Sequence, residues 1–338
     1  MQKPKVSMIV SNINGMSLNL LKECLDSLLK PDYENWELIV VDNASTDHSV
    51  DYVKKRFIKY KNCFLVQNPI NMYSQGLNLG AKKATGKYLA YFNNDVALGK
   101  GYFNELVMQM EKNPKTVISQ GKLLNYKDHK KIDSTGESMD IYGNPVTIGM
   151  GEKDIGQFDE IEDILSTSGS ACIIRKDVFD KVGGYDNTFG IGYEDMDLSL
   201  RLRRLGYSVK RFPSAIVFHK RAATDLAEFV RVKVKWHFNK NRLITMLKNY
   251  PAPLLLQTLP VTTTLYLFIA AYEWIVKHNW KIGWVRITAL VWILFSLPNI
   301  FSKREKISQT SKPLSQQELD LFSSKSLLSI FKHFVSIK

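Results

Sequence analysis

The chain has 338 residues, 45% of them hydrophobic and 23% charged, which excludes a disordered polypeptide and leaves room for one large α/β domain with a smaller appendage. Its formal net charge of +13 points to a nucleic acid, a membrane surface or a phosphorylated substrate as partner. Cys24, Cys63 and Cys172 lie far apart with no Cys/His spacing for zinc, so they read as small buried hydrophobes of a reducing compartment.

The first residues carry no long apolar stretch and no small-residue cleavage site, so the leading domain is expected to stay in the cytosol. A short β-branched run at 6–10 reads as a buried strand. Leu18, Leu21, Leu25 and Leu28 recur at helical spacing, and Pro31 closes that helix. Residues 37–41 form the next strand, stopping at Asp42-Asn43. A helix follows, with Val50, Val53 and Phe57 on its apolar face and Ser45 or Asp47 as its cap. Residues 63–66 are a third strand, 76–84 a helix, and 88–92 a fourth strand ending at Asn93-Asn94-Asp95. This alternation predicts an α/β fold with a mostly parallel sheet and helices on both faces. Ligands of such sheets bind beyond the carboxyl ends of the strands, where Asp42 and Asp95 fall.

Residues 122–166 are broken by Gly136, Gly143, Gly149, Gly151 and Gly156, and read as loops and short antiparallel strands. Residues 170–174 are apolar, 178–182 belong to a short helix, and 194–205 are strongly helical. Two further short strands are expected at 208–212 and 215–218, the second delivering His219. From 201 to 250 the chain is strongly basic. From 251 to 301 it is mostly apolar, and from 302 it is polar with an amphipathic stretch at 327–334. The resulting division is a catalytic domain at 1–222, a basic helix at 223–250, a membrane-associated helical hairpin at 251–301 and a polar tail at 302–338.

The hairpin reading rests on apolar segments at 254–276 and 282–301, each near the ~20 residues that a spanning helix needs. Glu273 and Arg286 interrupt them close to the connecting turn at 277–281, around which Trp274, Trp280 and Trp284 gather as an interfacial belt would. Two helices lying in the membrane interface, or two buried helices of a soluble domain, are the alternatives. The adjacent basic block favours an anionic lipid surface. No nucleic-acid motif accompanies the charge, so nucleic acid is not expected as a partner.

Group transfer from a phosphorylated donor to a hydroxyl makes two electrostatic demands. The leaving diphosphate must be neutralised, and the acceptor hydroxyl must lose its proton to a placed carboxylate. Taken singly, the acidic motifs have ordinary readings as turns and helix starts. Taken together, Asp42-Asn43-Ala44-Ser45-Thr46-Asp47, Asn93-Asn94-Asp95, Gly183-Gly184-Tyr185-Asp186 and Tyr193-Glu194-Asp195-Met196-Asp197 occur in an order that resembles family 2 glycosyltransferases. The rhamnosyltransferase-like branch of surface-polysaccharide biosynthesis is the nearest in look. Asn239-Lys240-Asn241-Arg242 resembles the segment that those proteins carry before their hydrophobic tail.

The resemblance implies a GT-A fold and inversion at the anomeric carbon. It implies that Asp42, with Asn12, Asn43 and Asn93, binds the nucleotide. Asp95 and His219 would hold Mg²⁺ or Mn²⁺. Asp195 would be the general base, with Glu194 and Asp197 shaping its surroundings. The implied donor is dTDP-rhamnose or a UDP-hexose, and the acceptor a polyprenyl-linked glycan at the cytoplasmic face of the cell membrane. Ser11-Asn12-Ile13-Asn14 lacks the usual aromatic near the base, and Asn93 stands where the family's acidic motif begins with Asp. A nucleotide-binding oxidoreductase is excluded by the absence of GxGxxG after the first strand. A non-catalytic sugar-binding subunit would lack Asp95 or Asp195, and both are present.

Overall fold

A computed structural model of the chain describes residues 3–221 and 228–323. The amphipathic stretch expected at 327–334 lies outside the described residues. In chain order the elements are β1 (Val6–Asn12), α1 (Leu21–Leu28), β2 (Trp36–Asn43), α2 (Ser49–Phe57), β3 (Cys63–Asn68), α3 (Tyr73–Lys83), β4 (Tyr88–Asn93), β5 (Val96–Leu98), α4 (Tyr102–Lys112) and β6 (Thr116–Asn125). Then come β7 (Ile132–Ser134), β8 (Glu137–Met139), β9 (Pro145–Thr147), β10 (Glu162–Asp163), β11 (Ala171–Arg175), α5 (Lys176–Lys181), α6 (Glu194–Arg204) and β12 (Ser208–His219). The last elements are α7 (Glu228–Asn249), α8 (Ala252–Ile275), α9 (Trp280–Thr310) and α10 (Gln316–Leu319).

The main sheet runs β10-β12-β6-β11-β4-β1-β2-β3. Strands β4, β1, β2 and β3 are parallel, as the alternation of strand and helix requires. They are buried on both faces where they are continuous apolar runs, as in Val6, Met8, Ile9 and Val10 of β1. Each such side chain contributes about 1.5–3 kcal/mol by leaving water. Helices α1, α2 and α4 cover one face, and α3, α5 and α6 the other. β11 is antiparallel to both β4 and β6, and β12 is parallel to β6. The carboxyl ends of β1, β2, β4, β6 and β12 therefore share one edge.

The two strands expected at 208–212 and 215–218 are one strand, β12. Its register against β6 breaks between Arg211 and Ile216, and Pro213 falls in that break, where its missing N–H removes no ladder bond. The broken strand crowds β6: a Cβ on Gly121 would stand 1.9 Å from the Ala215 carbonyl oxygen. Helix α1 starts at Leu21 rather than Leu18, because residues 13–19 fold as a turn. Helix α3 starts at Tyr73, three residues earlier than its glycines indicated. Asp47 does accept from the Ser49 amide at the start of α2, but its other oxygen ties down the amides of Met16 and Ser17.

Helices α8 and α9 are long and apolar enough to cross a membrane by length and composition. They pack on each other, and α9 packs along α7. α9 continues past residue 301 to Thr310, and its last turns bind both the α/β domain and the end of α7. Lys303 pairs with Asp186 at 2.7 Å, and Arg304 donates to the Leu247 and Tyr250 carbonyls at 2.7 and 2.8 Å. Trp274 lies over Gly283, where a Cβ would approach the indole nitrogen to 2.0 Å. The opposite face is open and apolar, with Phe295 85%, Leu256 76% and Leu294 65% exposed.

Much of the basic block turns inward. Lys240, Arg242 and Lys248 are buried, as are Arg201, Arg203, Arg204 and Arg211. Buried cations need partners; most of these find carbonyls and carboxylates of the α/β domain, while Arg204 bonds the Lys248 and Lys312 carbonyls. Lys240 reaches the Thr188 carbonyl at 2.6 Å, and Lys248 reaches Asp186 and Asp197 at 2.7 and 2.8 Å. Arg231, Lys233 and Lys235 are members of the block that stay exposed.

Candidate active site

The shared sheet edge places the first group of residues. Parallel register sets Asn12 beside Asp42, and Ser11 beside Asn93. Asp42 is buried and accepts from Asn12 Nδ2 at 2.9 Å, the Ser45 hydroxyl at 2.6 Å and the Ser45 amide at 3.0 Å. Asn12 Oδ1 in turn accepts from Asn94 Nδ2 at 2.8 Å. Asn43 points into the sheet edge, donating to Ser11 Oγ and accepting from Asn68, both at 3.0 Å. Gly76 is required there, since a Cβ would stand 2.2 Å from Asn43 Oδ1.

Asp95 follows β4, and β5 pairs antiparallel with the end of β12, setting Val96 opposite His219. His219 Nε2 lies 3.2 Å from Asp95 Oδ1, and its Nδ1 lies 2.7 Å from Asp133 Oδ2 on β7. Burial works against a charge on His219, but Asp133 and Asp95 outweigh it and raise the imidazole to about 9. Asp133 also pairs with Arg221. A carboxylate suits Mg²⁺ and Mn²⁺, and the imidazole can join it as a ligand only after losing the proton that Asp133 and Asp95 favour. No group of three or more His, Cys, Asp or Glu side chains gathers to hold a metal among the described residues. A bound ion would therefore take its other ligands from diphosphate oxygens and water, as Mg²⁺ commonly does.

The Glu194-Asp195 pair opens α6. The preceding residue, Tyr193, holds φ +68, a left-handed conformation that is costly for an aromatic residue. Helix α7 fixes this turn. Asn241 Nδ2 lies 2.7–2.9 Å from the carbonyls of Phe189, Ile191 and Gly192, and His237 Nδ1 lies 3.0 Å from Phe189 O. The Asn239-Lys240-Asn241-Arg242 motif is thus a clamp on the loop that aims Asp195.

Asp195 accepts from the amides of Met196 at 2.7 Å and Gly169 at 2.9 Å. Burial raises its carboxyl above the usual range against those amides. Glu194 is pushed up to about 8, by burial first and by Asp195 second. Its Oε2 is buried without a hydrogen-bond partner. Glu137 is likewise raised to about 8 by burial and by Asp195. The two amides favour the ionised form of Asp195, and burial without a partner favours the protonated form of Glu194, so the pair is arranged to carry one negative charge. Asp197, grouped with this pair by sequence, faces away. It is fully buried against Lys248, Arg201 and Asn249 at 2.8–2.9 Å, joining α6 to α7.

One residue that sequence reasoning missed joins the two groups. The Tyr73 hydroxyl lies 2.7 Å from Asn93 Oδ1 and 3.1 Å from the Gly169 carbonyl, bridging the end of β4 to the loop that bonds Asp195. Asp133, which orients His219, was also missed. The three cysteines are unpaired, and burial pushes every thiol up, Cys63 and Cys172 to about 12, so none offers a thiolate nucleophile.

Comparison with known proteins places this arrangement. An O-antigen biosynthesis protein of Myxococcus xanthus is 27% identical over 69% of the chain and 18% of its own length. A glucosyl-dolichyl phosphate glucuronosyltransferase of Haloferax volcanii is 27% identical over 55% of the chain and 57% of its own length. A poly(ribitol-phosphate) beta-glucosyltransferase of Bacillus spizizenii is 33% identical over 28% of the chain and 15% of its own length. The chain thus spans well under two-thirds of each of these relatives.

Among solved structures, a mannosyltransferase of Pyrobaculum calidifontis in complex with GDP-Man and Mn²⁺ aligns with a TM-score of 0.54 and 15% identity, over 99% of this chain and 86% of its own. S. aureus TarS 1-349 in complex with UDP-GlcNAc aligns with a TM-score of 0.56 and 15% identity, over 91% of this chain and 84% of its own. These likenesses establish a GT-A fold. A model of the N-terminal domain of galactosyltransferase matches residues 157–223. The model of glycosyl transferase family 2 matches residues 7–183, more than half of the chain, and the chain belongs to that family.

Proposed function

We propose that the protein transfers a glycosyl group from a nucleoside diphosphate sugar to a hydroxyl of a lipid-linked glycan, with inversion at the anomeric carbon. The observation that carries this reading is convergence. The Asn12–Asp42–Asn93 row, the Asp95–His219 pair and the Glu194–Asp195 pair meet at one sheet edge, with Tyr73 joining the row to the Gly169 loop that bonds Asp195. Asp42 and its neighbours receive the nucleoside. Asp195 takes the proton of the attacking hydroxyl, and Glu194, protonated, limits the local negative charge. Asp95 and His219 would hold Mg²⁺ or Mn²⁺, which when bound neutralises the diphosphate leaving group.

The relatives named for O-antigen, poly(ribitol-phosphate) and dolichyl phosphate chemistry favour a surface-polysaccharide acceptor on a lipid carrier. The motif order favours dTDP-rhamnose or a UDP-hexose as donor. The exposed apolar face of α8 and α9 favours work at the cytoplasmic surface of the cell membrane. The test is a screen of nucleotide sugars for nucleoside diphosphate release in the presence of membrane lipid extract. Turnover of one donor supports the reading, and no turnover of any donor by folded protein contradicts it.

A further inference from the structure

Two charged residues in the apolar hairpin have no place in the site above. Glu273 on α8 and Arg286 on α9 are both buried. Ionisable groups retained inside apolar helices are costly and commonly mark a functional site. Both line a partly open cavity of about 320 Å³ between α7, α8, α9, Tyr193 and the Asn144-Pro145 turn. That volume lies at the lower end of the range for small-ligand sites.

The cavity is positive. Lys235, Arg242 and Arg286 line it, with Glu273 as the one acid in its wall among the described residues. Arg242 is held in place by its Nε bond to the Tyr142 carbonyl at 2.7 Å, and its guanidinium lies 5.3 Å from the Tyr266 ring centroid. Lys235 is exposed, yet partial desolvation first and the like charge of Arg286 second hold it below the usual lysine range. Such a cluster favours a compact anion with several acceptor oxygens. Its location narrows the choice. Tyr193 in the wall is two residues from Asp195, and α8 and α9 offer exposed apolar surface that a hydrocarbon chain can follow.

We propose that this cavity binds the phosphate or diphosphate end of an amphipathic lipid, the carrier of the acceptor glycan. The hairpin then serves as a substrate-holding element as well as an attachment to the membrane. The proposal takes its acceptor from the transferase reading above.

The experiment measures equilibrium binding of a radiolabelled polyprenyl diphosphate to the full chain in detergent micelles. Wild type is expected to bind. Arg286→Gln and, separately, Lys235→Gln are expected to raise Kd about tenfold or more, while the exposed Lys59→Gln leaves it unchanged. Circular dichroism reports folding, and exposed Lys235 keeps the test valid where Arg286→Gln unfolds. Wild-type affinity in folded Lys235→Gln and Arg286→Gln, or no binding by wild type, overturns the proposal. Inorganic pyrophosphate competing as well as the lipid overturns the lipid source. Equal competition by phosphatidylglycerol vesicles overturns a specific headgroup in favour of general adhesion. Nucleoside diphosphate release from nucleotide sugars is read separately. Its absence beside Arg286-dependent lipid binding removes the transferase reading and leaves the cavity assignment standing.

Discussion

Replacing Glu194 by glutamine is expected to stabilise the protein, by an amount that grows with pH. Glu194 is buried beside Asp195 and is raised from 4.5 to about 8. It holds its proton more tightly folded than unfolded. Its effect on stability is therefore neutral below about pH 4.5 and becomes a penalty that grows until about pH 8. At pH 7 the unfolded side chain is ionised and the folded one mostly protonated, a difference of about 3 kcal/mol at ~1.4 kcal/mol per pH unit. At pH 5 the same difference is below about 1 kcal/mol. Glutamine keeps the shape of the protonated acid and carries no such penalty. The assay is thermal unfolding of both proteins in one detergent between pH 4.5 and 8.5. The Tm of Glu194→Gln should exceed that of wild type at pH 8, with the gap closing towards pH 4.5. A Tm difference that does not change with pH, or a less stable variant at pH 8, would refute the reasoning.

Other outcomes follow from the same geometry. EDTA should suppress nucleoside diphosphate release, with recovery on adding Mn²⁺ or Mg²⁺; full activity in chelator would remove the metal role of Asp95 and His219. Asp197→Ala takes a carboxylate from buried Lys248 and Arg201, leaving Lys248 on Asp186 and Arg201 on the Val182 and Gly184 carbonyls, and should cost up to about 3 kcal/mol in denaturant unfolding. Phe295→Gln with Leu294→Gln should reduce flotation with liposomes while leaving unfolding nearly unchanged, since both side chains are exposed. Unaltered flotation would count against this face as the membrane contact.

The site was legible in part because its first half depends on local sequence. β-branched runs that stop at Asp42 and Asp95, alternating with helices, place both groups at one sheet edge. What escaped depends on pairing between distant segments. Asp133 reaches His219 only because β7 turns back on β6, and nothing in its local sequence marks this. Tyr73 matters only because α3 sets its hydroxyl against a loop about a hundred residues later. Residues 102–112 repeat Tyr102, Phe103, Leu106, Val107 and Met110 at helical spacing, so α4 was readable and was passed over. Charge was misleading in a different way. A run of lysines and arginines counts charge but not direction, and Lys240, Arg242 and Lys248 face the catalytic domain.

The central claim is that Asp195 takes the acceptor proton in a sugar transfer. It is tested most directly by single-turnover transfer from the accepted nucleotide sugar by Asp195→Asn, with nucleotide affinity measured in parallel. The account predicts a loss of about a hundred- to ten-thousandfold in rate with nucleotide affinity within a few-fold of wild type. Transfer at the wild-type rate by the folded variant would contradict it.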